Sequence, residues 1–206
     1  MKPLFIENLS KKLKKGLPGK DAQEKMMIRP RRFRSKEYRM EGIPASVLLL
    51  LYPFNEDWFF FLTKRSENVE HHKGQISLPG GMVEKNESKK NAAIRETYEE
   101  IGVDKSKMKI IGHLTSLYVP VSNFEIFPYI GWIDIKPKTM IHDNEVESIF
   151  SVSINDLILE KNSKLKEAIF SNQPVTIPYF ELNGEMVWGA TSMILAEFKH
   201  ILKDRV

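Results

Sequence analysis

The chain has no cysteine. Disulfides, thiolate metal sites and cysteine nucleophiles are therefore excluded as sources of stability or chemistry. No apolar run approaches the eighteen or so residues that a membrane-spanning helix needs, so no membrane span is expected, and a soluble, cytoplasmic protein is. The opening MKPLFIENLSKKLKKGLPG carries lysines but no apolar stretch behind them, and does not read as a secretory signal. Internal repeats and low-complexity tracts are also missing. What is present, 206 residues at 42% hydrophobic, is enough for one sizeable core.

The net charge of +4 conceals an asymmetry. Residues 1–43 hold thirteen Lys and Arg against five Asp and Glu, a balance of +8 that leaves −4 for the remainder. A basic arm of this kind suits an anionic substrate, a membrane surface or nucleic acid, and equally an ordinary solvated helix face. Charge alone does not choose between them.

Leu4, Phe5, Leu9 and Leu13 recur at helical spacing, predicting an amphipathic helix over 4–15 that Gly16 and Pro18 end. A second short helix is expected over 21–27, then an irregular basic stretch over 28–42. The run ASVLLLLY at 45–52 has the length and continuity of a buried strand, and 58–63 should be its hairpin partner. Residues 64–78 read as a loop leading to Gly80 and Gly81, which permit close approach of a ligand. Later strands are expected at 109–119, 126–135 and 146–153. Pro128 suggests an edge or bulge for the second of these. A short helix follows at 154–159, then a hairpin about Asn183-Gly184, and a closing helix capped by Thr191 or Ser192.

The most informative stretch is GMVEKNESKKNAAIRETYEEIGV, residues 81–103. Its second half predicts a helix, with Asn86 or Ser88 as N-cap and Gly102 as left-handed C-cap. At 100° per residue Ile94, Thr97, Tyr98 and Ile101 share one side, and Glu96, Glu99 and Glu100 gather on the other. Carboxylates three and four apart repel one another, and near a helix C-terminus they also oppose the dipole. Arg95 relieves one of them. A hard divalent cation on oxygen ligands would remove both penalties; a merely solvated acidic face is the other reading.

Gly81, Glu87, Arg95, Glu96, Glu99, Glu100 and Gly102 stand in the register G-x5-E-x7-R-E-U-x-E-E-x-G-U, with Thr97 and Val103 at the U positions. This resembles the Nudix box, the signature of hydrolases that cleave a diphosphate linked to another moiety. The resemblance implies an α+β fold, an α/β/α sandwich with a mixed central sheet between helices. Residues 44–206 would form the Nudix hydrolase domain, and 1–43 a basic helical extension packed on it. It also implies Mg²⁺ or Mn²⁺ held by Glu96, Glu99 and Glu100. Arg95 would orient these acids with Glu87 as partner, and Glu99 is the candidate base. Glu145 or Glu147 could supply an extra acid, solvated loop charge being the alternative.

Ahead of the box, Leu62-Thr63-Lys64-Arg65-Ser66, Gly74 and Pro79-Gly80-Gly81 resemble the motif of the coenzyme A pyrophosphatase branch, L-L-T-x-R-S-x3-R-x3-G-x3-F-P-G-G. Phe61 replaces its first leucine, Leu78 its phenylalanine, and Glu70 its second arginine. The last change reverses a charge that could meet a phosphate, and His71, His72 and Lys73 are nearby cations that could replace it. Two further segments, Leu17-Pro18-Gly19 and Val187-Trp188-Gly189-Ala190-Thr191, are similar to that branch as well. The resemblance implies cleavage of coenzyme A to 4′-phosphopantetheine and 3′,5′-ADP. Arg65, Ser66, Gly80 and Gly81 would lie on the substrate side, although Arg65 could instead serve a structural ion pair. ADP-ribose, NADH or dinucleoside polyphosphates are alternative substrates, and a non-catalytic binding module is an alternative of another class. A small-molecule nucleotide is the expected partner rather than nucleic acid, with a homodimer left open.

Overall fold

The computed structural model describes residues 2–29, 42–66, 74–141, 144–170 and 172–203. The loop with Glu70, His71, His72 and Lys73, and most of the basic stretch expected to be irregular, lie outside them. Among the described residues an eight-stranded mixed sheet and a three-stranded antiparallel sheet are formed. The large sheet is built on β1 (Ile43–Phe54), which pairs antiparallel with β2 (Asp57–Arg65) and β4 (Gly80–Met82) and parallel with β7 (Phe124–Trp132). Outside these lie β3 (Ile76–Ser77) and β8 (Val146–Ser153) against β2, and β5 (Lys109–His113) and β6 (Leu117–Val119) against β7.

The uninterrupted apolar run of β1 is explained by burial on both faces. Leu48, Leu50 and Tyr52 join Phe61, Ala93 and Ile101 beneath α3 (Lys89–Ile101). Leu49 and Leu51 join Phe60 and Leu62 beneath α1 (Leu4–Lys15) and α5 (Gly189–Lys203). Alternate residues of one strand therefore serve two cores, and the chain is a helix–sheet–helix sandwich. The smaller sheet, β9 (Ser163–Phe170), β10 (Gln173–Leu182) and β11 (Glu185–Val187), packs beside α5. Its hairpin turns at Asn183 and Gly184 with φ of 52° and 77°, the left-handed pair that a two-residue turn requires. The short α2 (Lys20–Gln23) and α4 (Ile154–Ile158) complete the element set, α4 being capped by Ser153. No described helix is long and apolar enough to cross a membrane.

Several expectations are corrected. The buried seam of α1 is Ile6, Leu9 and Leu13, while Leu4 is 71% exposed. The single strand expected over 109–119 is broken between β5 and β6, and β7 is interior rather than an edge. Pro128 is tolerated there because of that break. Leu114 N–H donates to Pro128 O at 2.8 Å, so the proline nitrogen faces the same side, where the partner strand is interrupted and a donor is not needed. The α5 helix begins at Gly189, so Thr191 and Ser192 lie inside its first turn, and Ser192 Oγ donates back to Gly189 O. Strand β9 was not foreseen; its charged Lys164, Lys166 and Glu167 and its exposed Leu165 and Ile169 hide the alternation.

One buried carboxylate ties the N-terminal extension to the rest. Glu197 of α5 is fully buried and accepts from Gly19 N (3.2 Å), Gln23 Nε2 (2.8 Å), Thr115 N (3.2 Å) and Thr115 Oγ1 (2.7 Å). It thus replaces the water lost by donors on two segments distant in sequence, residues 19–23 and Thr115. Glu197→Ala leaves those donors unsatisfied and should cost about 3 kcal/mol of stability in urea unfolding. A loss within experimental error of zero would mean that the extension docks without it.

Candidate active site

Helix α3 starts where Ser88 Oγ accepts from Asn91 N at 3.2 Å, and ends at Gly102, whose φ of 71° is the left-handed cap. Ala92 and Ala93 are fully buried, and their small size lets the helix lie close on β1. The buried face is Ala92, Ala93, Thr97, Glu100 and Ile101, which is rotated toward Glu100 relative to the predicted face; Tyr98 is 39% exposed. The three glutamates therefore do not share one solvated surface. Glu99 faces out, Glu96 is half-buried, and Glu100 is 5% exposed against the sheet. Thr97 is tolerated in the core because its hydroxyl donates to Ala93 O at 2.7 Å.

Arg95 stands at the centre of the acids. Its Nε and Nη2 grip Glu87, both at 3.0 Å, and its Nη1 reaches Glu96 Oε1 at 2.7 Å and Glu99 Oε2 at 3.0 Å. Nη2 also donates to Met82 O at 3.0 Å, fastening the helix to β4. The guanidinium holds the Glu87 carboxyl below the usual carboxylate range, and its carboxylate partners, Glu87 foremost, raise the guanidinium's own pKa. Glu96 goes the other way: burial pushes its carboxyl up, against the pull of Arg95.

Gly80 and Gly81 belong to a strand, β4, and not to a free loop. A Cβ on Gly80 would fall 2.3 Å from Ser46 O. A Cβ on Gly81 would fall 2.5 Å from Glu96 Cδ and 2.6 Å from both carboxylate oxygens. The second glycine thus leaves the space that the Glu96 carboxylate fills. Glu100, one turn on, lies 3.5 Å from Thr63 Oγ1, which is itself 3.2 Å from Ser77 Oγ. Thr63 was absent from the predicted site. The period of β2 carried the signal, since Thr63 lies two residues from Phe61 on the α3 side, but the pairing with Glu100 is non-local.

The remaining candidates form ion pairs of their own. Arg65 Nη2 meets Glu145 Oε2 at 2.7 Å, and Ser66 N donates to Glu145 O at 2.7 Å. The strand thus draws one expected extra acid onto one expected substrate-side residue. Glu147 lies 3.9 Å from Lys64, which also reaches Glu185 of β11 at 3.2 Å.

Among the described residues no three His, Asp or Glu groups are already gathered as a ligand cluster, because Arg95 holds Glu87, Glu96 and Glu99 about itself. The site nevertheless suits a hard divalent cation. Its donors are all carboxylate oxygens, one of them desolvated beside Gly81, and they outnumber the single guanidinium.

The NUDIX domain family matches residues 42–173. The chain is 30% identical over 179 residues to Nudix hydrolase 3 of Caenorhabditis elegans, covering 78% of this chain and 74% of that one. To mitochondrial Nudix hydrolase 15 of Arabidopsis thaliana it is 29% identical over 184 residues, covering 85% and 62%. Among solved structures, the Nudix hydrolase RenU of M. smegmatis superposes with a TM-score of 0.54 at 13% identity over 79% of this chain and 88% of that one, a likeness of fold. The chain therefore belongs to the Nudix family and is an enzyme, a pyrophosphohydrolase. Enzymes of this family act on small-molecule nucleotides and generally use divalent metals.

Gly81→Ala places a methyl where the Glu96 carboxylate sits, and that flexible side chain yields before the backbone does. Far-UV circular dichroism should be unchanged and kcat reduced about 100-fold, as for an angstrom-scale misplacement of a reacting group. Wild-type kcat in this variant would show that the space beside Glu96 is not required.

Proposed function

We propose that this Nudix hydrolase cleaves the diphosphate of coenzyme A, releasing 4′-phosphopantetheine and 3′,5′-ADP. The observation that carries the reading is the placement of Thr63. The Leu62-Thr63-Lys64-Arg65-Ser66 segment, which resembles the coenzyme A branch, runs along β2 and brings its threonine to Glu100 of the box. Branch motif and hydrolase motif are thus parts of one site. Arg65 lies two residues further along the same strand, with Nε buried and without a hydrogen bond among the described residues, a planar donor suited to a phosphate.

In this reading Glu96, Glu99 and Glu100 hold Mg²⁺ or Mn²⁺, with Glu145 the better placed extra acid because Arg65 already fixes it. The cation, when bound, neutralises charge on the phosphoryl oxygens and favours deprotonation of water. Arg95 keeps the acids in place through Glu87, Glu96, Glu99 and the Met82 carbonyl. Gly80 and Gly81 let the backbone of β4 approach the helix. Glu99, the most exposed of the three, takes the proton as water attacks phosphorus; the phosphorus–oxygen bond to the leaving nucleotide or phosphopantetheine then breaks, and that group departs as a phosphate. The substitution of Glu70 for an arginine of the branch motif favours a second reading, the same hydrolysis on ADP-ribose, NADH or a dinucleoside polyphosphate.

Coenzyme A, ADP-ribose, NADH and diadenosine polyphosphates, each offered with Mg²⁺ or Mn²⁺, separate these readings. Release of 3′,5′-ADP from coenzyme A, reduced about 1,000-fold or more in Glu100→Gln, is the expected result. Preferential cleavage of another substrate overturns the coenzyme A assignment and keeps the hydrolase.

A further inference from the structure

Ser46 is an anomaly in β1. Every neighbour from Val47 to Leu51 is apolar, yet position 46 carries a hydroxyl that is fully buried and has no hydrogen-bond partner among the described residues. Such a group is destabilising, and alanine would fill the position without that cost.

Its neighbours suggest what the hydroxyl is for. Ser46 stands opposite Gly81 in the β1–β4 ladder and opposite Phe127 in the β1–β7 ladder. By the period of the strand it projects to the face shared by Leu48 and Leu50, the face that α3 covers. Side chains of directly opposed residues lie about 5 Å apart on one face. The Cβ that Gly81 lacks would lie 2.5 Å from the Glu96 carboxylate carbon, so the Ser46 side chain borders the same space. Glu96 gives one oxygen, Oε1, to Arg95, while Oε2 receives no hydrogen bond among the described residues. A buried donor without an acceptor and a half-buried carboxylate with one oxygen free of protein donors thus flank one glycine.

We infer that Ser46 is a positioning residue of the hydrolase site, its hydroxyl orienting the Glu96 carboxylate when that carboxylate turns from Arg95 toward a divalent cation. The inference rests on the reading of Glu96 as a cation ligand. With the sheet side held by Ser46, Glu96 can release one oxygen from the guanidinium without losing its orientation. Glu100 has its own hydroxyl neighbour on the sheet, Thr63. The two acids of α3 that face inward would then each be set by a hydroxyl from a strand.

The test is binding of Mn²⁺ alone to the full chain, followed by electron paramagnetic resonance, together with thermal unfolding. Ser46→Ala should weaken Mn²⁺ binding about 10-fold, as expected for a partner of a metal ligand, while Tm stays level or rises because an unsatisfied buried hydroxyl has been removed. Ser46→Cys, close in size and a weak donor, should behave alike. In a Glu96→Gln background, Ser46→Ala should add no further loss. A packing role for Ser46 would lower Tm and leave Mn²⁺ affinity unchanged. Unchanged affinity in Ser46→Ala, or losses that simply add to those of Glu96→Gln, would overturn the inference. Unchanged affinity in Glu96→Gln itself would instead overturn the assignment of Glu96 on which it stands.

Discussion

Glu84, Glu87, Glu96 and Glu99 bring four carboxylates to the neighbourhood of one guanidinium, that of Arg95, and the surrounding structure answers to that imbalance. Arg95 reaches three of them and a backbone carbonyl at once, which uses the planar fork of arginine in a way a lysine could not reproduce. The consequences differ by position. Glu87, gripped by two nitrogens, has its carboxyl pulled down; at Glu96 desolvation by the surrounding protein outweighs the contact with Arg95 and pushes the carboxyl up. A group whose charge is disfavoured where it stands is a reservoir that a cation can draw on. Coordination would relieve the very desolvation that raises it.

The sheet beneath is shaped to keep that reservoir open. Ala92 and Ala93 bring α3 down onto β1, and Gly81 gives the Glu96 carboxylate a place that any side chain on β4 would take. The same closeness turns Glu100 inward, to the hydroxyl of Thr63. Packing and chemistry are therefore set by the same small residues. A larger residue at 92 or 93 would lift the helix, and with it the distance between Glu100 and β2.

What could be read in the sequence follows from how local each signal is. The register from Gly81 to Gly102 placed the acids on a helix with its caps, because capping and i, i+4 geometry are settled within a few residues. The continuous run of β1 marked a strand buried on both faces for the same reason. The tilt of α3 about its own axis was not legible. Tyr98 is more apolar than Glu100, and only the closeness allowed by Ala92 and Ala93 puts the glutamate inside. Contacts across long intervals, Thr63 with Glu100 or Arg65 with Glu145, were invisible as pairs although both partners of the second had been singled out. Pro128 misled because its missing donor suggested an edge, when the break between β5 and β6 supplies the same relief in the interior. Strand β9 was passed over because its charged residues and solvent-facing Leu165 and Ile169 do not show a buried alternation.

The departures from ordinary folding preference are not scattered. A half-buried carboxylate at Glu96, a buried one at Glu100, and a hydroxyl at Ser46 without a partner among the described residues all lie on the α3 side of the sheet. The opposite face, under α1 and α5, shows another pattern: its buried acid, Glu197, is fully supplied with donors. Both faces bury acids, but only the α3 side also holds a buried hydroxyl, that of Ser46, without a partner among the described residues. Local rules broken on one side of a sheet and kept on the other point to the side where a ligand completes the set. That asymmetry belongs to the tertiary structure alone, and it supports the proposed site on the α3 face.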